Sequence, residues 1–336
     1  MELWLDALAI VILAILIDRF IGDVPNAIHP LRWMGNLLGA IDKRIKKRDS
    51  LSTSILGFLS YLLVFLIFGG VGILIIALVH GLVSDYDEVW GEVAWIIVSA
   101  FILKIQFAIF SFRKHCDPIC EDLDAGRVED AAAKVQMIVS RNTKGMDAEH
   151  IASSCCETVS ENLVDSILSP TFYFGLLGIL GSIMFRCANL MDAMWGYLNE
   201  KYGRLGFFPA KFDDVLGWLT SRVSPFFVAL AAMLLGMDWR AAVPAAKAEH
   251  TKTPSPNSGW PMTAVSAALG ISMEKRDVYV MGKGSLPTTK DVQRCMRLVE
   301  LTSILFMLLI CFPIYALLGI HIQLFFEDLI FSILPI

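Results

Sequence analysis

The sequence predicts an all-α, polytopic integral membrane protein with re-entrant or buried short helices and cytoplasmic helical loops. Hydrophobic residues make up 56% of the 336 residues and charged residues 18%, whereas soluble domains have about 45–50% apolar and about 25% charged residues. The apolar residues are also grouped into long blocks separated by charged segments. We therefore expect the lipid bilayer to be a partner of this chain, and we expect no nucleic acid partner.

Four apolar blocks are expected to cross the bilayer, whose hydrocarbon core is about 30 Å thick. The first ends at Asp18 and Arg19, but no cationic segment precedes it and no small-residue cleavage site follows it, so we interpret it as a retained helix rather than a signal peptide. No linker, repeat or low-complexity run divides the chain, so residues 1–336 are expected to form a single membrane domain. The expected spans are residues 3–21, 54–80, 93–112 and 298–320.

The distribution of lysine and arginine predicts which segments face the cytoplasm, because short cytoplasmic loops carry the cationic excess. Residues 22–50 and 113–162 hold six cations each, whereas residues 81–92 hold four acids and no cation. The first two segments are expected inside and the third outside. Residues 186–222 hold five cations and residues 238–297 hold nine, so both are also expected to be cytoplasmic.

Two further apolar stretches, residues 166–185 and 223–237, separate these later basic segments. Pro170 and three glycines interrupt the first, and Pro225 lies near the start of the second, which is short for a span. We expect both stretches to be re-entrant or buried against other helices, which keeps residues 186–222 on the cytoplasmic side. Two full crossings are the alternative.

Three acids recur every four residues in a predicted helix that begins after Asp147: Glu157, Glu161 and Asp165. At this spacing their carboxylates stack along one face of an α-helix and repel one another, so a cationic partner is expected. That partner is either Mg²⁺, which binds carboxylates together with substrate phosphates, or a basic segment of the chain. A solvated acidic face is a third alternative. Asp147 is expected to cap the helix.

A second polar helix carries Asn189 and Asp192 on one face, and Asp213 and Asp214 open the helix that follows. Acids at a helix start are also favoured by the helix dipole. Arginines in this region either bind phosphate or carboxylate groups or anchor the chain at the membrane edge: Arg186, Arg204 and Arg222.

A proline-rich loop, AEHTKTPSPNSGWP, precedes an alanine-rich helix. Its serine and asparagine side chains and its backbone N–H groups could form an anion site at the helix N-terminus, and a plain turn is the alternative. The chain has no P-loop, Rossmann fingerprint, nucleophile elbow or HExxH motif, so any ATP site is of an uncommon kind.

Together these segments resemble the adenosylcobinamide-phosphate synthase family of cobalamin biosynthesis, the CbiB/CobD proteins. The resemblance covers nearly the whole chain, with the segments in the family's order. Members often read ENTSDG and NTLDS where this chain reads ENLVDS and NLMDA. The segments that carry the resemblance are GDVPNAIHP, VSRNTKGMD, ETVSENLVDSILSPTFY, NLMDAMWGYLNEKYGRLGFFPAKFDDV and HTKTPSPNSGWP.

The resemblance implies a multi-pass enzyme of the cell membrane that joins adenosylcobyric acid to (R)-1-aminopropan-2-ol phosphate, or to aminopropanol, through an amide bond. It implies ATP and Mg²⁺ as cofactors, and association with other late cobalamin-biosynthesis membrane enzymes. Two alternatives are an AmpE-like membrane signalling protein that is not a ligase and a corrinoid transporter. For a transporter, Lys104 and Gln106 within a predicted span would be the residues of interest, although snorkelling or an internal salt bridge better explains Lys104.

On this interpretation the three stacked acids, Glu157, Glu161 and Asp165, hold Mg²⁺, and Asp192 assists them. His250 or Asp213 takes the proton of the amine. The groups expected to bind ATP or a substrate phosphate are Arg141, Asn162, Asn189, Arg204, Asp214, Ser255, Asn257 and Ser258. These residues are expected to meet in an active site on the cytoplasmic side.

Overall fold

The computed structural model describes residues 3–45 and 50–334, and three cations of the basic segment 22–50, Lys46, Lys47 and Arg48, lie outside the described residues. The regular secondary structure of the described residues is helical apart from one two-stranded hairpin. Its α-helices are α1 (Leu3–Phe20), α2 (Pro30–Arg44), α3 (Leu51–Ser84), α4 (Glu88–Ile105), α5 (Ser111–Asp124), α6 (Val128–Val135), α7 (Ala148–Leu163), α8 (Ser169–Trp195), α9 (Phe207–Leu234), α10 (Trp239–Glu249), α11 (Gly259–Leu269), α12 (Thr289–Phe306), α13 (Phe312–Ile314) and α14 (Ile320–Ile333). The strands are β1 (Ser272–Lys275) and β2 (Tyr279–Gly282), the π-helical turns are Val164–Leu168, Met307–Cys311 and Tyr315–Gly319, and a 3₁₀ turn spans His250–Lys252.

Four helical runs in the described residues are long and apolar enough to cross a membrane. They confirm the predicted fold class, an all-α integral membrane protein. Helices α1 and α4 have 18 residues each and carry three charged residues each, so their crossing of the bilayer stays a prediction. The four runs are Leu51–Ser84, Ala148–Trp195, Phe207–Leu234 and Thr289–Ile333.

The chain divides into two compact units. Their segments alternate along the sequence, so no linker separates them. The first unit comprises Met1–Phe107, Ser169–Leu216 and Met307–Ile336, and the second comprises Ala108–Leu168 and Gly217–Phe306.

A break interrupts α8 at Leu177 and Gly178, where the backbone leaves the helical region. Gly178 has φ 61° and ψ −150°, a conformation that is essentially restricted to glycine. The prediction that glycine interrupts this apolar stretch is thus confirmed at Gly178. The Gln323 side chain accepts a hydrogen bond from the N–H of Ile179 at 3.4 Å, which satisfies a backbone group just after the break. Such compensation is what a broken helix at membrane depth requires.

Helix α9 runs without interruption through Pro225. Most of the stretch 223–237 thus belongs to a longer helix, whose 28 residues are enough to cross a membrane. Whether α9 and the stretch 166–185 cross the bilayer completely stays a prediction.

In the first unit, α1 packs against α4, and α8 and α14 pack against α3. Lys104 is 1% exposed, and its Nζ lies 3.0 Å from Asp18 Oδ1 and 2.6 Å from Asp23 Oδ1. Of the two explanations favoured for Lys104, snorkelling and an internal salt bridge, the salt bridge is therefore confirmed. Gln106 donates to the carbonyl of Ile102 within its own helix end.

In the second unit, α7 is central and packs against α12, α11 and β1, while α5 packs against α6 and α12. Most of the buried side chains of α7 are small: Ala152, Ser153, Ser154, Cys155, Cys156 and Ser160. Small side chains let the surrounding elements approach the α7 backbone closely, which brings the polar face of α7 next to the β-hairpin. All seven cysteines of the chain are buried free thiols.

Candidate functional site

Helix α7 positions the acidic residues of the second unit. The prediction that Asp147 caps this helix is confirmed, because its Oδ1 accepts the N–H of His150 at 2.9 Å. The prediction of a regular α-helix through Asp165 is wrong, because α7 ends at Leu163 and Val164–Leu168 form a π-helical turn. The wider π-turn changes the rotation per residue, so only Glu157 and Glu161 keep the predicted α-helical spacing.

Arg141 is the cationic partner of Glu157. Its Nη1 lies 3.0 Å from Glu157 Oε2 and its Nη2 lies 2.9 Å from Oε1, which is two-point binding of a carboxylate. Glu157 is buried, and it also accepts hydrogen bonds from Ser153 Oγ at 3.0 Å and from Tyr279 Oη at 2.8 Å. Of the alternatives open from the sequence, a basic partner segment is therefore the one seen at Glu157.

The β-hairpin brings two further side chains to this place. Strands β1 and β2 are antiparallel, and their register pairs Lys275 with Tyr279 at the turn end. The N–H of Glu274 donates to Ser153 Oγ at 2.8 Å, which anchors β1 to α7. Burial, and then the nearby charge of Glu157, raise the pKa of Tyr279. Tyr279 thus remains a hydrogen-bond donor to Glu157 across the physiological pH range.

These groups line a cavity of about 160 Å³, which we call the carboxylate pocket. Glu161 is its exposed carboxylate. The Nε of Arg141 is buried and has no acceptor among the described residues, as expected for a donor that awaits an anionic ligand. The carboxylate pocket is lined by Ile138, Val139, Ser140, Arg141, Glu157, Thr158, Glu161, Asn162, Lys275 and Tyr279.

The residues of the carboxylate pocket fit Mg²⁺ only if substrate phosphates complete its coordination. Among the described residues no three His, Cys, Asp or Glu side chains lie close enough together to hold a metal ion, so the predicted set of three carboxylate ligands is not assembled. Glu157 already has Arg141, Ser153 and Tyr279 as partners. Mg²⁺ commonly binds through one or two carboxylates plus substrate phosphates, and Glu161 suits such a role.

The proline-rich loop of the second unit lies before α11 and is largely closed on itself. Ser255 Oγ accepts the N–H groups of Asn257 at 3.2 Å and Ser258 at 3.3 Å, so these two N–H groups are not exposed, contrary to the sequence-based expectation. Asn257 is 5% exposed and Ser258 is 7% exposed. Direct phosphate binding by these three residues stays a prediction.

Arg222 adds a positive charge beside this loop. Its Nη1 donates to Asn257 Oδ1 at 3.3 Å, and its guanidinium lies over the rings of Trp218 and Trp260, 4.4 Å and 5.4 Å from their centroids. The ring of His250 stacks on Trp260 at 4.0 Å between centroids. The buried Nε1 of Trp260 has no acceptor among the described residues. We call Arg222, His250, Asn257 and Trp260 the loop cluster.

The first unit holds the remaining predicted site residues. Asn189 accepts from Arg186 Nη1 at 3.4 Å, and Asp214 pairs with Lys211 at 3.1 Å. Asp192 is half-buried and lies within electrostatic range of Asp214 and Lys211. Asp213 is half-buried and Arg204 is exposed in the same unit. Of the predicted site residues of the first unit, Asp192 and Asp214 thus lie near each other.

Comparison with known proteins gives a family for this chain. The model of the CobD/Cbib protein family matches residues 11–304. The chain belongs to the CobD/CbiB family. One CobD/CbiB relative, from Methanothermobacter thermautotrophicus, is 34% identical over 278 residues, which are 83% of this chain and 88% of the relative. Another, from Methanocaldococcus jannaschii, is 33% identical over 307 residues, 89% of this chain and 96% of the relative.

A third CobD/CbiB relative, from Thermococcus kodakarensis, is 33% identical over 294 residues, 88% of this chain and 91% of the relative. All three relatives are named probable cobalamin biosynthesis protein CobD. No solved structure matches the chain significantly.

Two residues of these groups, Lys275 and Tyr279, were not singled out from the sequence, whereas Arg222 was named there as a possible phosphate- or carboxylate-binding cation. Lys275 and Tyr279 belong to a hairpin whose turn, Arg276-Asp277-Val278, has no Asn-Gly or Asp-Gly signature. The left-handed φ of Asp277, 61°, supplies the turn instead. A short polar and aromatic run of this kind gives little local signal for strand pairing.

Proposed function

We propose that this CobD/CbiB protein is a carboxylate–amine ligase of cobalamin biosynthesis. It joins adenosylcobyric acid to (R)-1-aminopropan-2-ol phosphate, or to aminopropanol, and forms adenosylcobinamide phosphate or its dephospho counterpart. Family membership and the names of the relatives support the pathway. The observation that carries the reaction class is the carboxylate pocket, where the exposed Glu161 adjoins Arg141 and Lys275.

The chemistry requires activation of a carboxylate. Amide formation from a free carboxylate in water is unfavourable, so the carboxylate oxygen first attacks the γ-phosphorus of ATP and ADP leaves. The amine then attacks the acyl carbon, inorganic phosphate leaves, and the amine's proton passes to a base. Phosphoryl transfer depends mostly on positioning and charge neutralisation. A site with fixed cations and one available carboxylate supplies both.

Within the carboxylate pocket each side chain has a distinct task. Arg141 is held by Glu157 and keeps its Nε free for a phosphate oxygen. Lys275, paired across the hairpin with Tyr279, adds a second cation. Glu161 would hold Mg²⁺, which when bound supplies further charge neutralisation between ATP and protein.

The loop cluster offers a second place for an anion or a flat group. Arg222 is positioned by Asn257 and by stacking on the two tryptophans, so its guanidinium is fixed in direction. His250 uses its Nδ1 on the carbonyl of Ala246 at 3.0 Å, which leaves Nε2 to accept a proton. His250 is therefore the base that we propose for the second unit.

The test measures turnover by variants of the purified protein in detergent. Glu161→Ala should lower ATP-dependent conversion of adenosylcobyric acid by about 100-fold or more, because it removes transition-state charge stabilisation worth about 3 kcal/mol. Asn257→Ala should lower it through misplacement of Arg222. Glu149→Ala is the matched control, because Glu149 is an exposed acid of the same helix that does not line the pocket. Wild-type turnover by both Glu161→Ala and Asn257→Ala would refute this site.

We propose further that the carboxylate pocket opens to the cytoplasm, as the lysine and arginine distribution indicates. The buried state of all seven native cysteines makes an introduced cysteine selectively reactive. Ser140→Cys at the pocket should react with an impermeant maleimide only from the cytoplasmic side of sealed vesicles, and Tyr86→Cys, in the α3–α4 turn, only from the opposite side. Labelling of both from one side would contradict this orientation.

The same assay separates the alternatives. A signalling protein of the AmpE kind would bind no adenosylcobyric acid and form no amide. A transporter would move corrinoid into vesicles without ATP. Its candidate residue, Lys104, is instead buried in an ion pair with Asp18 and Asp23, so no observation favours transport over ligation.

A further inference from the structure

A second polar site lies in the first unit, and none of its lining residues belongs to the site proposed above. It is a cavity of about 290 Å³ at the end of the unit that carries the α3–α4 turn. A cavity of only about 10–15 Å³ holds a single water molecule, so this cavity accommodates a hydrated ion or a small organic group. Its lining residues are Leu3, Asp6, His80, Ser84, Glu88, Glu92, Trp95 and Leu324. We call it the acidic pocket.

The charge of the acidic pocket is unbalanced among the residues that line it. Asp6, Glu88 and Glu92 are acids, and His80 is the one lining residue able to carry a positive charge. Asp6 is 2% exposed, and its Oδ1 has no hydrogen-bond partner among the described residues. Asp6 also lies within hydrogen-bonding reach of Glu92. Two carboxyl groups this close do not both ionise unless a cation joins them.

A fourth acid lies directly behind the wall of the pocket. Glu327 is 1% exposed, and Trp95 Nε1 donates to its two carboxylate oxygens at 2.8 Å and 2.9 Å. Gln323 Nε2 donates to it at 3.3 Å, and His80 Nδ1 lies 3.3 Å from it. Trp95 and His80 therefore connect Glu327 to the pocket. Ionisable groups buried in a membrane protein are costly and commonly mark a binding site or an ion pathway.

We propose that the acidic pocket binds a monovalent cation, with Asp6 and Glu92 as its direct carboxylate ligands and Glu327 as the negative charge behind them. A bare divalent metal does not suit the site, because among the described residues no three His, Cys, Asp or Glu side chains lie close enough to chelate one. A hydrated alkali ion and a primary ammonium ion share the chemistry that the pocket offers, namely one positive charge with room for its hydrogen bonds.

The test is a titration of the thermal stability of the purified protein in detergent at pH 8. Sodium chloride, potassium chloride and ethanolammonium chloride are the probes, and N-methylglucamine chloride keeps the ionic strength constant. A saturable rise of the melting temperature with at least one probe is expected, and comparison of the three probes shows whether an alkali ion or an ammonium ion is preferred. No saturable rise, or a rise with calcium or magnesium alone, would overturn the proposal.

Variants test whether the cation that raises the melting temperature binds in the acidic pocket. Asp6→Asn/Glu92→Gln should weaken the apparent affinity by about tenfold or more, since it removes both direct charges and each 1.4 kcal/mol is tenfold. Asp85→Asn is the matched control, because Asp85 is an exposed acid of the neighbouring turn that does not line the pocket. Equal affinity in the double variant and in the wild type would overturn the proposal.

If the double variant does not fold, a measurement on the wild-type protein tests the same proposal. Protons compete with the cation for Asp6 and Glu92, and protonation of Glu88, Glu327 or His80 also lowers the negative charge around the site. The apparent affinity should therefore fall as the pH is lowered from 8 to 5. An affinity that is constant over this range would contradict carboxylate ligation. None of these measurements uses ATP or corrinoid, so a negative result in them leaves the proposed ligase function untouched.

Discussion

Arg141 and Glu157 form a two-point ion pair, with Nη1 3.0 Å from Oε2 and Nη2 2.9 Å from Oε1. The pair joins the segment before α7 to α7 itself, and Tyr279 and Ser153 complete the hydrogen bonds of the carboxylate. Because Glu157 is 4% exposed, its charge depends on these partners. The pair also fixes the direction of the Arg141 Nε, which is the donor left for a ligand.

Removal of Arg141 should leave Glu157 buried without a countercharge. Arg141→Met should cost about 3 kcal/mol of unfolding free energy, the range measured when one partner of a buried pair is lost. Arg141→Met/Glu157→Gln should be less destabilised than the sum of its single variants. The unfolding free energies of the single and double variants are measured by unfolding in detergent. Arg276→Met is the control, because Arg276 forms an exposed pair with Asp147 that should contribute less than about 1 kcal/mol. Additive effects of the two substitutions at the buried pair would contradict this coupling.

The buried pair of the first unit should behave in the same way. Lys104→Met leaves Asp18, whose side chain is 0% exposed, without its cation. We expect a loss of about 3 kcal/mol, measured by unfolding in detergent. Lys104→Met/Asp18→Asn should recover much of that loss, since the remaining Asp23 is partly exposed. A double variant as unstable as Lys104→Met alone would show that Asp18 is not the group that needs Lys104.

The break in α8 should depend on glycine. A Cβ at position 178 would lie 2.9 Å from Gln323 Cβ and 3.0 Å from the carbonyl oxygen of Gly319, and the backbone there has φ 61°. Gly178→Ala should therefore destabilise the protein by about 2–3 kcal/mol, visible as a lower melting temperature. Gly70→Ala is the control, because a Cβ at Gly70 meets no atom within 4 Å. Equal melting temperatures for the two variants would contradict the described break.

The sequence predicted the helical class because apolar blocks of sufficient length carry that information locally, and it predicted the Asp147 cap for the same reason. It could not predict the π-turn after Leu163, which displaces Asp165, because such a turn depends on packing rather than on residue type. The partners of Glu157 were also hidden, since Tyr279 lies 122 positions away along the chain. A contact between residues this far apart along the chain becomes visible only in the folded structure.

A pH dependence should originate at His29. Its Nδ1 accepts the N–H of Leu31 at 3.2 Å and so caps α2 as a neutral ring. Burial lowers the pKa of His29 below 6.5, the charge of Asp23 opposes the shift, and Arg186 and Lys104 reinforce it. Because the folded-state pKa lies below the unfolded one, the unfolded chain binds the proton first. Stability should thus fall as the pH drops below about 6.5 and level off below the lowered pKa.

His29→Asn isolates this contribution. Asparagine caps a helix but does not titrate, so the difference in melting temperature between wild type and variant should change between pH 7.5 and pH 5. The other histidines are the same in both proteins, so their contributions cancel in the difference. A difference that is constant over this range would exclude His29 as the origin.

The central claim is ATP-dependent amide formation, and mass spectrometry of the corrinoid product tests it most directly. Purified wild-type protein in detergent is incubated with adenosylcobyric acid, (R)-1-aminopropan-2-ol phosphate and Mg²⁺, with and without ATP. We predict adenosylcobinamide phosphate, with one ADP and one phosphate released per amide, only when ATP is present, and its loss in Glu161→Ala but not in Glu149→Ala. Unchanged adenosylcobyric acid in the presence of ATP, from protein that is folded and binds the corrinoid, would contradict the claim.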